Sequence, residues 1–181
     1  MARNVEIKAR IEGVEALAPR AAAIASAGPI EIDQDDTFFR CESGRLKLRA
    51  FSNESGELIF YRRANQSGPK ESFYLRSPTS EPNVLRESLT LAYGQVGRVR
   101  KHRTLYLVGR TRIHLDRVEG LGDFLELEVV LADGEDCDRG LGEAHALMEA
   151  LAVKPSQLIE VAYVDLLARQ ACGDRSSLEP C

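Results

Sequence analysis

An α+β fold built round an antiparallel sheet or barrel is predicted, on three observations. First, many short segments alternate apolar and polar residues, as in Asn4-Val5-Glu6-Ile7-Lys8-Ala9-Arg10 and Phe124-Leu125-Glu126-Leu127-Glu128-Val129. Side chains in a strand point to opposite faces with period two, so Glu6, Lys8 and Arg10 share a face, as do Glu126 and Glu128. Second, the order reads as one strand and helix, a run of strands, a helix, a second run of strands and then helices, the pattern of an α+β domain. Third, 181 residues with 44% hydrophobic and 29% charged content suffice for one sizeable domain with its own core.

Residues 3–11 read as the first strand. Residues 14–27 read as a helix with Val14, Leu17, Ala21 and Ile24 in step and Gly28 as its stop, provided that Pro19 falls in the first turn. Segments 30–40, 45–51, 57–63 and 70–76 read as a meander separated by Ser43-Gly44, the Asn53–Gly56 turn and Gln66–Pro69. Residues 82–92 form a second helix, followed by Gly94. Segments 97–108, 110–118 and 123–131 are three more strands, joined at Val108-Gly109-Arg110 and Gly120-Leu121-Gly122. Residues 138–152 and 157–171 read as helices. The expected organisation is a single domain over residues 1–171 with a frayed tail over 172–181.

Charge is distributed unevenly. Residues 40–112 carry 15 Lys and Arg against 6 Asp and Glu, whereas residues 113–160 carry 3 against 12. Equal and opposite halves suggest that the two meet in the fold. The cations alternate strand after strand: Arg45, Lys47 and Arg49; Arg62 beside Phe60; Lys70 and Arg76; Lys101 and Arg103; Arg112 with His114 and Asp116. A solvated face mixes signs more often, because like charges on neighbouring strands repel. Turned inward, these faces form a channel with basic walls and an acidic patch. That suits a polyphosphate carrying Mg²⁺ or Mn²⁺: Lys and Arg meet the phosphate oxygens and carboxylates hold the hard cation.

Other features are bland. Cys41, Cys137, Cys172 and Cys181 have no metal-ligand spacing and read as reduced thiols. No apolar run reaches about 18 residues and no signal peptide is legible, so a cytoplasmic protein without a membrane partner is expected. Nucleic acid is not the expected partner, because the cations alternate within strands and aromatic content is 6% with no Trp. His114 falls on the inner face, His102 on the other, and His145 on a helix surface.

Several ordered stretches resemble the CYTH superfamily, the triphosphate tunnel metalloenzymes. They are Asn4-Val5-Glu6-Ile7-Lys8 against a Glu-x-Glu-x-Lys signature, Gln34–Phe39, Gly44–Arg49, Leu58–Arg62, Lys101-His102-Arg103, Arg112–Asp116, Gly120–Glu128 and Tyr163–Leu167, covering roughly residues 3–168. The match looks closest to class IV adenylyl cyclases. The resemblance implies an eight-stranded antiparallel β-barrel, a triphosphate tunnel, with flanking helices. It implies metal ligation by Glu6, Glu126 and Glu128 with Asp116 as a helper. Phosphate binding would fall to Lys8, Arg10, Lys47, Arg49, Arg62, Lys101, Arg103 and Arg112, and catalytic roles to Lys8 and Lys101. The expected partner is a triphosphate small molecule, with a homodimer as the candidate assembly. Asn4 departs from the signature, replacing an anionic oxygen donor with a neutral one. Three activities stay open: cyclisation of ATP to cyclic AMP and pyrophosphate, hydrolysis of a triphosphate, and triphosphate binding without turnover. Tyr163–Leu167 reads as a helix that plugs or buttresses the barrel.

Overall fold

The computed structural model describes residues 2–63 and 70–176. The elements run β1 (Ala2–Arg10), α1 (Val14–Ile24), β2 (Ala27–Phe39), β3 (Arg45–Ala50), β4 (Gly56–Arg63), β5 (Lys70–Thr79), α2 (Pro82–Tyr93), β6 (Gln95–Val108), β7 (Thr111–Val118), β8 (Gly122–Val130), α3 (Cys137–Ala150) and α4 (Tyr163–Ser176). Every strand pairing is antiparallel, and the order β1-β5-β4-β3-β2-β6-β7-β8 closes on itself because β1 pairs with both β5 and β8. The result is the expected eight-stranded, tunnel-like closed sheet with flanking helices. The expected Gln66–Pro69 turn, Cys181 and residues 177–181 lie outside the described residues. Among the described residues, no helix is long and apolar enough to cross a membrane.

Alternation decides which face looks where. Val5, Ile7 and Ala9 of β1, Ile113 and Leu115 of β7, and Leu125, Leu127 and Val129 of β8 point outward. They pack under Leu17 and Ala21 of α1 and Ala144 and Met148 of α3. Fully burying side chains of this size contributes about 1.5–3 kcal/mol each. The apolar layer therefore lies outside the ring, and its burial offsets the cost of turning charged faces inward.

Three local readings are corrected. Helix α1 starts at Val14, so Pro19 lies in its second turn, not its first. The start is set by Asp123 of β8, whose Oδ2 accepts from Val14 N at 2.8 Å, a tertiary cap where Gly13 has no side chain to offer. Gly28 is not the helix stop. It sits inside β2 at φ +109°, where a Cβ would lie 2.6 Å from the Leu105 carbonyl oxygen. The helix expected over 157–171 runs instead over Tyr163–Ser176, starting later and ending beyond the expected boundary.

Helix α4 closes one end of the ring. It comes so near β6 that a Cβ at Gly97 would lie 2.4 Å from Val164 Cγ2. Tyr163 and Val164 pack with Phe38, Val99, Val118, Leu121 and Phe124. Arg45 of β3 grips Asp165 bidentately at 3.1 and 2.6 Å, pinning the helix to a second strand of the ring.

Candidate functional site

The inward faces enclose a cavity of about 360 Å³. Each strand contributes by parity: Asn4, Glu6 and Lys8 from β1; Gln34, Asp36 and Phe38 from β2; Lys47 and Arg49 from β3; Glu57, Ile59 and Tyr61 from β4. Strand β5 adds Ser72, Tyr74 and Arg76; β6 adds Lys101 and Arg103; β7 adds Arg112 and His114; β8 adds Glu126 and Glu128. Ala162 and Tyr163 line the plugged end.

Two buried carboxylates organise the cations. Asp36 takes Lys47 Nζ at 2.7 Å and Arg49 at 2.7 and 2.8 Å. Asp116 takes Lys101 Nζ at 2.9 Å and Arg103 twice at 2.6 Å, and Tyr163 Oη donates to it at 3.1 Å. Burial disfavours both carboxylate charges. The facing cations outweigh it, Arg49 and Lys47 at Asp36 and Arg103 and Lys101 at Asp116, and hold both groups far below the usual carboxylate range. Crowding acts on the cations too. Burial and the neighbouring Arg49 lower Lys47 to about 8, and burial and Arg103 lower Lys101.

The acidic patch lies on β7 and β8. Glu126 accepts from Arg103 at 2.5 Å and pairs with Lys8 at 2.8 Å. Against the effect of burial, Lys8 and Lys101 hold it well below its ordinary value. Glu128 lies 3.4 Å from Arg112 and stands opposite Glu6 in the β1–β8 register. Ligand atoms of His114, Glu126 and Glu128 all lie within 4.8 Å of one another. Burial and the Arg103 charge lower the His114 pKa, keeping the imidazole neutral and able to donate an electron pair. This donor set fits a divalent cation, with the cation wall of β3 and β6 facing the same cavity.

The structure gathers Glu6, Lys8, Lys47, Arg49, Lys101, Arg103, Arg112, Glu126 and Glu128 round one cavity. It separates three other expected residues. Arg10 is exposed at the end of β1, donates to the Leu121 carbonyl at 3.0 Å and stacks on Phe124, beyond the Tyr163 plug. Arg62 points outward, because Glu57, Ile59 and Tyr61 take the inner parity of β4, and it donates to the Ser43 carbonyl at 2.6 Å. Asp116 shares the inward parity of Arg112 and His114, but it is 0% exposed and both its oxygens are engaged, so it anchors Lys101 and Arg103 and does not line the cavity. As expected, His102 lies on the outer face, between Asp33 and Glu31.

Asp36 is the residue that sequence reasoning missed. Its signal was present, since it alternates with Gln34 and Phe38, but only the register with Arg49 shows what it holds. Tyr163 belongs to the segment expected to plug or buttress the barrel, and it lines the plugged end. It also lies under Lys8 and Lys101, whose ammonium groups stand 4.0 and 5.0 Å from the ring centre.

Comparison with known proteins agrees with this geometry. A model of the CYTH domain matches residues 2–163. Adenylate cyclase CyaB of Aeromonas hydrophila is 28% identical over 138 residues, 72% of this chain and 70% of that protein. The chain spans 43% of the length of another curated relative that it matches. Among solved structures, PH1012 of Pyrococcus horikoshii OT3 superposes with a TM-score of 0.80 at 22% identity, over 90% of this chain and 98% of that one. HpAC1 of Hippeastrum, reported to have a dominant triphosphatase activity, gives 0.66 at 16% identity over 94% of this chain and 96% of that one. With an eight-stranded tunnel lined by paired cations and carboxylates, and a family match over nearly its whole length, this chain belongs to the CYTH domain family.

Proposed function

We propose that this protein is a metal-dependent enzyme that cleaves a triphosphate bound in its tunnel, with ATP as substrate and cyclic AMP and pyrophosphate as products. The observation that carries the reading is the facing arrangement of Lys47, Arg49, Lys101 and Arg103 against Glu126, Glu128 and His114 in one buried cavity. The cations bind and orient the phosphate oxygens, with Arg49 and Arg103 held in place by Asp36 and Asp116. A divalent cation held by Glu126, Glu128 and Glu6 would neutralise charge developing on the phosphates. Lys101, its pKa lowered, is the residue suited to accept the proton of the attacking hydroxyl at Nζ. Lys8, paired to Glu126, places positive charge beside the leaving phosphates. Phe51 and Tyr74 also line the cavity and offer flat faces for a base, which favours a nucleoside triphosphate over an inorganic one.

Hydrolysis is the second reading, since water can take the place of the ribose hydroxyl against the same walls. Product analysis with ATP, thiamine triphosphate and inorganic triphosphate, each with Mg²⁺ or Mn²⁺, separates them. Cyclic AMP and pyrophosphate from ATP is the expected outcome. Orthophosphate instead makes the protein a triphosphatase, and metal-dependent binding without product makes it a binding module.

Two further results are expected. Lys47, at about 8 in the free protein, must be charged to meet a polyanion, so affinity falls as pH rises through that value. The dissociation constant of inorganic triphosphate should rise by up to about tenfold per pH unit above it. Lys47→Arg, always protonated, should flatten the profile. A wild-type profile already flat from about pH 7 to about pH 9.5 would contradict this. Arg62→Ala, remote from the cavity, should leave the same constant within about twofold, since surface changes are worth about 0.5 kcal/mol or less. A tenfold loss would return Arg62 to the site.

A further inference from the structure

We propose that His114 binds the divalent cation directly through Nδ1, and that this nitrogen makes the tunnel prefer Mn²⁺ to Mg²⁺. The inference rests on the reading of the tunnel as a metal site. His114 is 4% exposed, yet its Nδ1 is fully buried and makes no hydrogen bond. A histidine kept only for packing has its buried nitrogens satisfied, because an orphaned polar atom costs free energy. Glu126 Oε2 at 3.8 Å and Glu128 Oε1 at 3.9 Å stand beyond hydrogen-bonding range of it. Those separations suit ligands of one ion: donor atoms about 2.0–2.2 Å from a shared centre stand at most about 4.4 Å apart.

A second orphan lies in the same cavity. Asn4 Oδ1 is buried without a hydrogen-bond partner. It adds a neutral oxygen where an acidic residue would add charge. Mg²⁺ depends on hard oxygen donors and gives up its water reluctantly. Imidazole is a softer donor than a carboxylate; Mn²⁺, although the weakest binder of the first-row transition ions, belongs to that series and takes nitrogen into its shell more readily than Mg²⁺ does. The amide oxygen serves Mg²⁺ and Mn²⁺ alike, so it is the imidazole beside the carboxylates that tunes the site toward Mn²⁺.

The test is Mn²⁺ binding to the intact protein without substrate, read by pulsed electron paramagnetic resonance and by competition with Mg²⁺. His102 presents a second imidazole between carboxylates, with Asp33 and Glu31 each at 2.8 Å on the outer face. The measurement is therefore made in His102→Gln. Coupling from a directly bound ¹⁴N is expected, disappearing in His114→Gln, and Mn²⁺ should bind at least about tenfold more tightly than Mg²⁺. If His114→Gln does not fold, ¹⁵N-histidine labelling of the His102→Gln protein gives the same answer by replacing the ¹⁴N pattern. Mn²⁺ bound in the tunnel, as shown by its loss in Glu128→Gln, but without nitrogen coupling, overturns the role of His114 and leaves the metal-dependent reading standing. No Mn²⁺ or Mg²⁺ binding at all overturns both.

Discussion

Asp116→Asn is expected to destabilise the protein by about 3–5 kcal/mol, the cost of removing one partner from a buried ion network. Asp116 is 0% exposed and receives Lys101, Arg103 and Tyr163. Asn keeps the shape but removes the charge that compensates two buried cations, and the only other anion bonded to Arg103 among the described residues is Glu126. The effect carries its own pH signature. The folded-state pKa of Asp116 is depressed, so its stabilisation is complete above the unfolded value of about 3.9 and is lost as pH falls below it. Urea melts at about pH 7 and about pH 3 should thus show a large difference from wild type at the first and a smaller one at the second. Asp35→Asn serves as the control. Its pair with Arg98 is half-exposed and should contribute less than about 1 kcal/mol. If the two variants melt alike, Asp116 is not the anchor of the cation wall.

Glu128→Gln is expected to lower turnover by more than about 100-fold while the protein stays folded. Outer residues that merely orient metal ligands already cost about 10–100-fold when removed. A ligand itself should cost more, because the charge that the ion neutralises is then left to the cations alone. Glu128 is the cleaner probe of the acidic patch. Glu126 is tied to both Lys8 and Arg103, so removing it takes a partner from two buried cations, whereas Glu128 stands 3.4 Å from Arg112 and 3.9 Å from His114. Turnover should recover in part with excess metal if the loss lies in ion binding. Activity within about threefold of wild type, together with unchanged Mn²⁺ affinity, would remove Glu128 from the site.

Much of this architecture was legible because strand parity is a local property. Glu6 and Lys8, Lys47 and Arg49, Lys101 and Arg103, and Glu126 and Glu128 each share a face wherever the strand is placed, and the structure brings all eight to one cavity. Parity does not say which face is inside. In β4 it is Glu57, Ile59 and Tyr61 that face the cavity, and Arg62 points outward with Phe60. Nor does parity say how far along a strand the cavity extends: Arg10 shares the face of Lys8 but falls beyond the plug.

The alternating pattern by itself determined the α+β class, the strands and the pairing of each cation with its neighbour two residues on, because side-chain direction follows from backbone geometry alone. Tertiary structure alone decided the partners across strands. That Asp36 holds Lys47 and Arg49, that Asp116 serves as an anchor, that Asp123 caps α1 and that Tyr163 closes the tunnel all depend on register and closure. Those are set by the sum of many weak contacts between segments far apart in the chain. A one-residue slip would exchange the inner and outer faces, and burial of the apolar layer beneath α1 and α3 is what forbids it.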